Sequence, residues 1–292
     1  MTRKTDQEIL RRLAEAKQKH GQLRKSLELY SELLQLQADV ELRVQPQELA
    51  DKAAEGRLKE WKPILEFENL SLDWSLVQQV FGSIADTVAK YLPEDSEGAG
   101  GVKSITSSSF PLHQAIEDCY RGSSLLAMAL AHGVSEELLS SVTLATLQPL
   151  LKPHSEALIK LVQQKQWRHR QCPVCGGKSD FAFLDKESGS RWLLCSRCDA
   201  EWMFQRLECP HCGNTDQKSL AYFTDDAGLY RLYVCEQCRG YTKAIDLRKT
   251  ESAVLLPLER IVTSGMDKDA FEKGYKRQVT GIVPLEELGE LC

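Results

Sequence analysis

Four CxxC pairs in one short stretch constrain the fold of this chain more than any other feature of its sequence. The chain has 292 residues and ten cysteines, and eight of these lie between Cys172 and Cys238. No apolar stretch follows the N-terminal residues, so we predict no secretory signal. In a reducing cytosol, paired CxxC sequences indicate metal ligation or redox chemistry rather than disulfides. The pairs are Cys172/Cys175, Cys195/Cys198, Cys209/Cys212 and Cys235/Cys238.

The sequence around the cysteines is repeated. Residues 172–207 and 209–247 each begin with CPxCG, continue into a β-prone run, turn at an acidic loop with glycine, return along a second run and reach another CxxC. The gap between the pairs is 19 residues in the first copy and 22 in the second. This self-similarity pairs the cysteines within each copy. The predicted metal sites are Cys172, Cys175, Cys195 and Cys198 (site one) and Cys209, Cys212, Cys235 and Cys238 (site two).

A tight turn at each CPxCG sequence is predicted to bring two sulfurs onto one ion. The proline after the first cysteine presets φ, and Gly176 or Gly213 after the second cysteine allows a positive φ. Backbone N–H groups of the turn can then point at the thiolates. Two such turns give a tetrahedral S₄ site for zinc or a single iron. Asp199 and Arg239 replace the glycine in the second turn of each copy, so we expect those halves to be less ideal.

The role of the cysteines has three readings. In the first, the metals have a structural role only, because so small a module needs roughly 10 kcal/mol of folding free energy from its metal. In the second, the metals are redox centres. A third reading is a dithiol oxidoreductase, since His211 would lower the pKa of Cys209 in the sequence CPHC. That chemistry normally uses one CxxC at the start of a helix, whereas this motif precedes a strand and has a matching repeat.

The β-prone runs have the pattern of half-buried strands. Residues 229–234 alternate between two faces, which is the period of a strand. Residues 186–189 and 225–228 each end in glycine and predict hairpin turns.

Residues 1–168 are predicted to form six to eight helices in an irregular bundle. The clearest helix begins near Asp73 and ends before Pro93. Residues 93–109, rich in Gly, Ser and acids, predict a mobile loop, and Pro153 is predicted to open a further helix. We interpret the apolar stripe of the clearest helix as core rather than a cofactor site; it consists of Trp74, Val77, Phe81, Ile84, Val88 and Tyr91.

The charge is close to balanced, which argues against several classes of function. The chain has 37 basic and 42 acidic side chains, a net charge of −5. Residues 171–249 hold 11 of each sign, so nothing favours the basic face that a nucleic-acid-binding ribbon needs. No apolar run approaches the ~20 residues that cross a bilayer. We therefore predict a cytoplasmic protein without membrane insertion and without a nucleic-acid partner.

The order of these motifs resembles the FdhE family of formate dehydrogenase accessory proteins. The motifs are CPVCG, LLCSRCDAEW, RLECPHCG and YVCEQCRGYTK, with Trp202, Arg206 and Tyr241-Thr242-Lys243 as framing residues. Residues 266–277 also resemble the closing helix of the family. The resemblance covers the C-terminal half, and the N-terminal half matches in helical layout.

This resemblance implies a protein that is not an enzyme. It implies recognition of the catalytic subunit of a respiratory, molybdenum-dependent formate dehydrogenase before export through the twin-arginine pathway. The acids Glu94, Asp95 and Glu97 either belong to a solvated loop, which is the simpler interpretation, or contact an arginine-bearing signal. Similarity to rubredoxins favours iron at each Cys₄ site, with zinc as the alternative. A rubredoxin-like electron carrier and a zinc-ribbon nucleic-acid-binding protein are the alternative functions, and the sequence leaves the oligomeric state open.

The predicted fold class is α+β. An N-terminal all-α irregular bundle precedes two tandem rubredoxin-like or zinc-ribbon-like small β modules and a short helical C-terminal tail. The predicted domains are residues 1–168 (helical), 169–207 (first Cys₄ module), 208–250 (second Cys₄ module) and 251–292 (tail).

Overall fold

The computed structural model describes residues 4–19, 23–47, 51–92 and 97–279. The fold is α+β, as predicted, with helices in the N-terminal part, one six-stranded sheet and helices after it. Among the described residues, contacts divide the chain into two compact units, one made of residues 4–46 and 66–153 and the other of residues 47–65 and 154–279. The four domains predicted from the sequence motifs remain a prediction, because the two units are defined by contacts within the structure and not by those motifs.

Ten α-helices lie in the described part of the chain. No helix there combines the length and the apolar character that crossing a bilayer requires. The helices are α1 (Lys4–Lys19), α2 (Arg24–Glu41), α3 (Asp51–Lys59), α4 (Trp74–Ala89), α5 (Glu97–Ile105), α6 (Leu112–Arg121), α7 (Leu126–Ala131), α8 (Glu136–Leu158), α9 (Leu256–Val262) and α10 (Gly265–Glu272).

Helix α4 begins where the sequence predicts it. The Asp73 side chain accepts hydrogen bonds from the backbone N–H groups of Ser75 (3.0 Å) and Leu76 (3.2 Å), which satisfies two donors that the first turn leaves open. The stripe is core at Val77, Phe81, Ile84 and Val88, which are all buried. Its first residue, Trp74, is only half-buried and stacks on His113, with 4.2 Å between ring centroids.

Two predictions about the N-terminal part are wrong. The predicted loop at 93–109 contains helix α5 from Glu97 to Ile105, in which Val102 and Ile105 are buried; burial of these apolar residues outweighs the low helix propensity of the glycines. Glu94 and Asp95 lie outside the described residues. Pro153 does not open a helix, because α8 continues through it, and the leucines buried along α8 offset the lost backbone hydrogen bond.

The six strands form one sheet in the order β3-β2-β1-β6-β5-β4. Each repeat contributes an antiparallel hairpin and a third strand, as the sequence predicts. The predicted turns hold Gly189 and Gly228 at positive φ, 65° and 66°. The strands are β1 (Ser179–Leu184), β2 (Arg191–Cys195), β3 (Glu201–Met203), β4 (Leu220–Thr224), β5 (Tyr230–Cys235) and β6 (Tyr241–Asp246).

The two repeats are joined within this sheet. Strand β1 pairs in parallel with β6, with Phe181 opposite Lys243 and Leu184 opposite Asp246. The first strand of the first copy therefore lies beside the last strand of the second copy. Because backbone hydrogen bonds cross from one copy to the other, the two Cys₄ modules share one sheet rather than folding as separate bodies.

Helices α9 and α10 are anchored on the sheet. Ala270 of α10 and the following Tyr275 pack in one apolar cluster with Leu232, Val234 and Tyr241. Below this cluster, the Lys243 ammonium donates to the Asp267 carboxylate at 2.6 Å, and both side chains are buried. The closing helix expected at 266–277 is present but ends at Glu272.

Candidate metal centres

Site one brings together the four sulfurs that the repeat assigns to it. The Sγ atoms of Cys172 and Cys198 lie 3.7 Å apart, and those of Cys175 and Cys195 lie 3.5 Å apart. All four sulfurs lie within 4.8 Å of one another, and all four residues are buried.

Site two has the same arrangement with more access to solvent. The Cys209 and Cys238 sulfurs lie 3.8 Å apart, and the Cys212 and Cys235 sulfurs lie 3.7 Å apart. Cys212 and Cys238 are half-buried, in contrast with every cysteine of site one. The two remaining cysteines belong to neither group: Cys119 is half-buried, and Cys292 lies outside the described residues.

The sulfur spacing fits a tetrahedral metal ion. A metal–sulfur distance of about 2.3 Å places neighbouring sulfurs about 3.8 Å apart in a regular tetrahedron. The four distances above, 3.5 to 3.8 Å, agree with that edge. They are far longer than the roughly 2.05 Å of a disulfide. Both groups can therefore hold one ion each, and zinc and iron fit this donor set equally well.

The turns that carry the sulfurs have the same geometry in both copies. The Cys172 N–H donates to Gly177 O at 2.7 Å, and the Cys209 N–H donates to Asn214 O at 2.8 Å. The backbone N–H groups of Arg197 and His211 lie 3.4 Å from the sulfurs of Cys195 and Cys209. These N–H groups partly offset thiolate charge.

Asp199 and Arg239 adopt the left-handed backbone that favours glycine. Their φ angles are both 55°, compared with 72° at Gly176 and 77° at Gly213. A side chain in this region costs roughly 1–2 kcal/mol. Asp199 is held by Arg260, whose Nη1 donates to its carboxylate at 3.0 Å. The Arg239 guanidinium donates to the backbone carbonyl of Lys273 at 3.0 Å.

Burial and local hydrogen bonds set the thiol pKa values apart. Burial raises the pKa of the Cys172 and Cys198 thiols, and hydrogen bonds from neighbouring thiols lower the pKa of Cys175. In site two, burial raises the pKa of Cys209. Burial also opposes ionisation of Cys235, but N–H groups that include the Asn214 side chain lower its pKa to about 7. In each group, hydrogen bonds therefore favour the thiolate form of one cysteine, Cys175 in site one and Cys235 in site two.

The environment of His211 weighs against thiol-exchange chemistry at this CPHC sequence. Burial lowers the pKa of His211 to about 4, so the ring is neutral near pH 7. Its Nε2 lies 2.8 Å from Oγ1 of Thr242 and 3.0 Å from the carbonyl oxygen of Tyr241. The ring is thus hydrogen-bonded to residues of β6 and does not supply the positive charge that would activate Cys209.

A segment far away in the sequence supports site one. The backbone N–H groups of Ile64 and Leu65 donate to the carbonyls of Pro173 and Val174, at 2.9 and 2.8 Å. Pro63 covers the turn so closely that a Cβ on Gly176 would lie 2.9 Å from its Cγ. Sequence reasoning missed this contact because residues 61–65 carry no periodic pattern.

Sequence reasoning also missed two arginines at equivalent positions of the repeat. Arg191 and Arg231 each stand four residues before the cysteine that ends the hairpin. Arg191 is buried, and its burial lowers its pKa to about 10, so it stays cationic at neutral pH. It donates to the backbone carbonyls of Gln205 and Glu208. The fixed offset from a ligand cysteine was a signal available in the sequence.

Comparisons with known proteins give one family. Residues 171–206 match the family model described as FdhE, central domain. A protein named FdhE homolog from Aquifex aeolicus is 35% identical over 156 residues, which cover 52% of this chain and 54% of that protein. An FdhE homolog from Shewanella oneidensis is 28% identical over 118 residues, which cover 40% of this chain and 39% of that protein. The chain thus spans about half, or less, of the length of these curated relatives.

A solved structure has a similar fold. The crystal structure of the FdhE protein from Pseudomonas aeruginosa matches with a TM-score of 0.62 at 20% sequence identity. The match covers 96% of this chain and 94% of that one. The similarity of fold therefore extends over both compact units.

Proposed function

We propose that this chain, which belongs to the FdhE family, is an accessory protein in the maturation of formate dehydrogenase. It acts on a protein client and is not itself an enzyme. The observation that carries the proposal is the assembly of eight cysteines into two groups of four sulfurs within a segment that overlaps the family's central domain.

Each group of four cysteines holds one metal ion. The turns present the thiolates, the four cysteines of site one are buried, and backbone N–H groups share the sulfur charge. Iron of the rubredoxin type is favoured by the resemblance, and zinc is the alternative; an iron centre would supply one-electron redox chemistry. In either case the ion stabilises a β region whose hairpins are too small to fold alone.

The client is the catalytic subunit of formate dehydrogenase, which the chain meets in the cytoplasm. A net charge of −5 spread over 79 charged side chains favours specific complementary contact over non-specific adhesion. No basic tract supports nucleic-acid binding. The metal centres stabilise the scaffold that contacts the client.

Affinity capture tests this proposal. The full chain is captured from cells grown anaerobically, and the bound proteins and metals are identified by mass spectrometry and metal analysis. We expect recovery of the formate dehydrogenase large subunit and two metal ions per chain. The Cys172→Ser and Cys209→Ser variants should each lose one ion and lose client activation, whereas Cys119→Ser, outside both groups, should behave like wild type. Unchanged metal content and unchanged activation in both site variants would overturn the proposal.

A rubredoxin-like electron carrier is the second candidate. Half-burial of Cys212 and Cys238 brings sulfur atoms of site two near the surface, where electron transfer to a partner is fastest. Protein purified anaerobically would then show thiolate-to-iron charge-transfer absorption that a physiological donor bleaches. Zinc as the sole metal under all growth conditions would remove this candidate and leave the accessory role.

A further inference from the structure

The two metal sites differ in the cation that each repeat supplies. In site one, Arg197 lies between Cys195 and Cys198 and is buried. Its guanidinium donates to the carbonyl oxygen of Cys175 at 3.3 Å. The equivalent position in the second repeat is Gln237, which is neutral and exposed. The second repeat therefore has no cation at the position where the first repeat places Arg197.

The first repeat provides a cation close to site two. Arg191 of β2 lines a cavity of about 30 Å³ together with Cys209 and Cys235. Its guanidinium donates to the carbonyl of Glu208, the residue before Cys209, and it interacts electrostatically with Cys209. The Phe204 and Tyr233 rings hold it at 5.2 and 5.6 Å from their centroids.

The equivalent arginine of the second repeat is already neutralised. Arg231 donates to the buried carboxylate of Asp246 at 2.6 Å. Among the described residues, no carboxylate lies within ion-pair distance of Arg191, although Glu208 and Arg206 also line the cavity. A buried cation without an anionic partner is costly. A divalent ion bound by four thiolates carries a net charge of −2 and would balance it.

We infer that Arg191, from the first repeat, is the charge-compensating residue of the second metal site and takes the part that Arg197 takes at the first. The inference rests on the proposed metal binding. It makes the second site dependent on the first repeat, since the positive charge that stabilises its thiolates comes from β2. Arg191 contributes only its positive charge, which stabilises the thiolates of site two. It is not a metal ligand and has no direct part in chemistry on a substrate.

Cadmium-113 NMR of the full chain tests this inference, because each Cys₄ site gives its own resonance. The protein is loaded with cadmium and titrated with EDTA, and the ion remaining in each site is read separately. Arg191→Met should lower cadmium affinity at site two by about tenfold to 100-fold, as loss of a group outside the ligand shell commonly does. Site one should be unchanged in the same sample. Arg231→Met, the matched control, should leave site two within threefold of wild type.

Two further variants separate charge from structure. Arg191→Lys keeps the charge but loses the forked hydrogen bonds, and we expect affinity at site two close to that of wild type. Arg191→Met combined with Gln237→Arg returns a cation to the position used in the first repeat and should recover most of the affinity. If Arg191→Met does not fold, the cadmium affinity of site two in Arg191→Lys is the measurement that tests the inference.

The outcomes are distinct. A folded Arg191→Lys protein with a tenfold loss at site two would overturn the inference, as would equal losses at both sites in Arg191→Met or an equal loss in Arg231→Met. Failure of wild type to take up cadmium at site two would instead overturn the proposed metal site.

Discussion

Ala182 on β1 lies directly beside Ala244 on β6, and both side chains are completely buried. This pair sits at the parallel join between the two repeats. Small residues on both strands leave no room for a larger side chain in a well-packed interior. The join therefore depends on these two alanines.

Enlarging one of them should weaken the whole sheet. We expect Ala244→Leu to lower the free energy of unfolding by about 1–3 kcal/mol, the usual cost of overpacking, and to weaken both metal sites together. Denaturant unfolding followed by metal release measures both effects. Ala53→Leu makes the same change at an exposed position of α3 and should stay within about 0.5 kcal/mol of wild type. Loss of one site alone would argue against a shared sheet.

The two glycines of the CPxCG turns should differ in their tolerance of alanine. Gly213→Ala should cost roughly 1–2 kcal/mol for its positive φ alone, because a Cβ there would lie 3.4 Å from the nearest atom, in the flexible side chain of Arg170. Gly176→Ala should cost more, since its Cβ would lie 2.9 Å from the Pro63 ring. Thermal unfolding of the two metal-loaded variants gives the order. Equal costs would mean that Pro63 moves away freely.

The two metal ions should leave at different rates. All four cysteines of site one are buried, whereas Cys212 and Cys238 of site two are half-buried, so a chelator reaches site two first. We expect two kinetic phases of equal amplitude when zinc-loaded protein is mixed with excess chelator. The fast phase should disappear in Cys209→Ser and remain in Cys172→Ser. A single phase in wild type would contradict this assignment.

Acid should remove the stabilisation that Asp246 provides. Hydrogen bonds from Arg248 and the nearby charge of Arg231 lower the pKa of Asp246 to about 2 from an ordinary value of 3.8. A carboxylate whose pKa is lower in the folded than in the unfolded protein stabilises the fold at pH values above the unfolded-state pKa. This stabilisation is lost as the pH falls through the folded-state pKa. We expect about 2 kcal/mol to disappear between about pH 5 and pH 2. The difference in unfolding free energy between wild type and Asp246→Asn should shrink over this range, and a constant difference would refute the linkage.

The buried ion pair between Lys243 and Asp267 should show strong coupling. Asp267→Leu leaves the Lys243 ammonium without its carboxylate and should cost about 3–5 kcal/mol. Lys243→Met combined with Asp267→Leu should cost clearly less than the two single changes together. Chemical denaturation of the four proteins forms a double-mutant cycle. Simple additivity would show that the pair contributes no interaction energy.

The cysteine spacing, the glycine positions and the apolar periodicity of the sequence predicted the two cysteine groups, the hairpin turns and helix α4. The CxxC offsets and the copy-to-copy match were enough to group Cys172 with Cys198 and Cys209 with Cys238, because the repeat fixes which hairpin each turn faces. The hairpin turns and helix α4 followed from glycine positions and from periodicity.

Tertiary contacts explain what the sequence did not reveal. The pairing of β1 with β6 joins strands about 60 residues apart, and no local signal encodes such a partner. Helix α5 forms around glycines because Val102 and Ile105 are buried. Arg191 and Arg231 occupy equivalent positions of the repeat in the sequence. Only the structure shows that Arg231 has a carboxylate partner, Asp246, and that Arg191 has none among the described residues.

The contacts that hold Asp199 and Arg239 in a glycine-like backbone come from later parts of the chain. Asp199 depends on Arg260, and Arg239 depends on the carbonyl of Lys273. At a synthesis rate of roughly 5–20 residues per second, the cysteines of each site are made several seconds before the residue that anchors its second turn. The second turn of each site therefore gains its anchoring contact only after Arg260 or Lys273, respectively, has been synthesised.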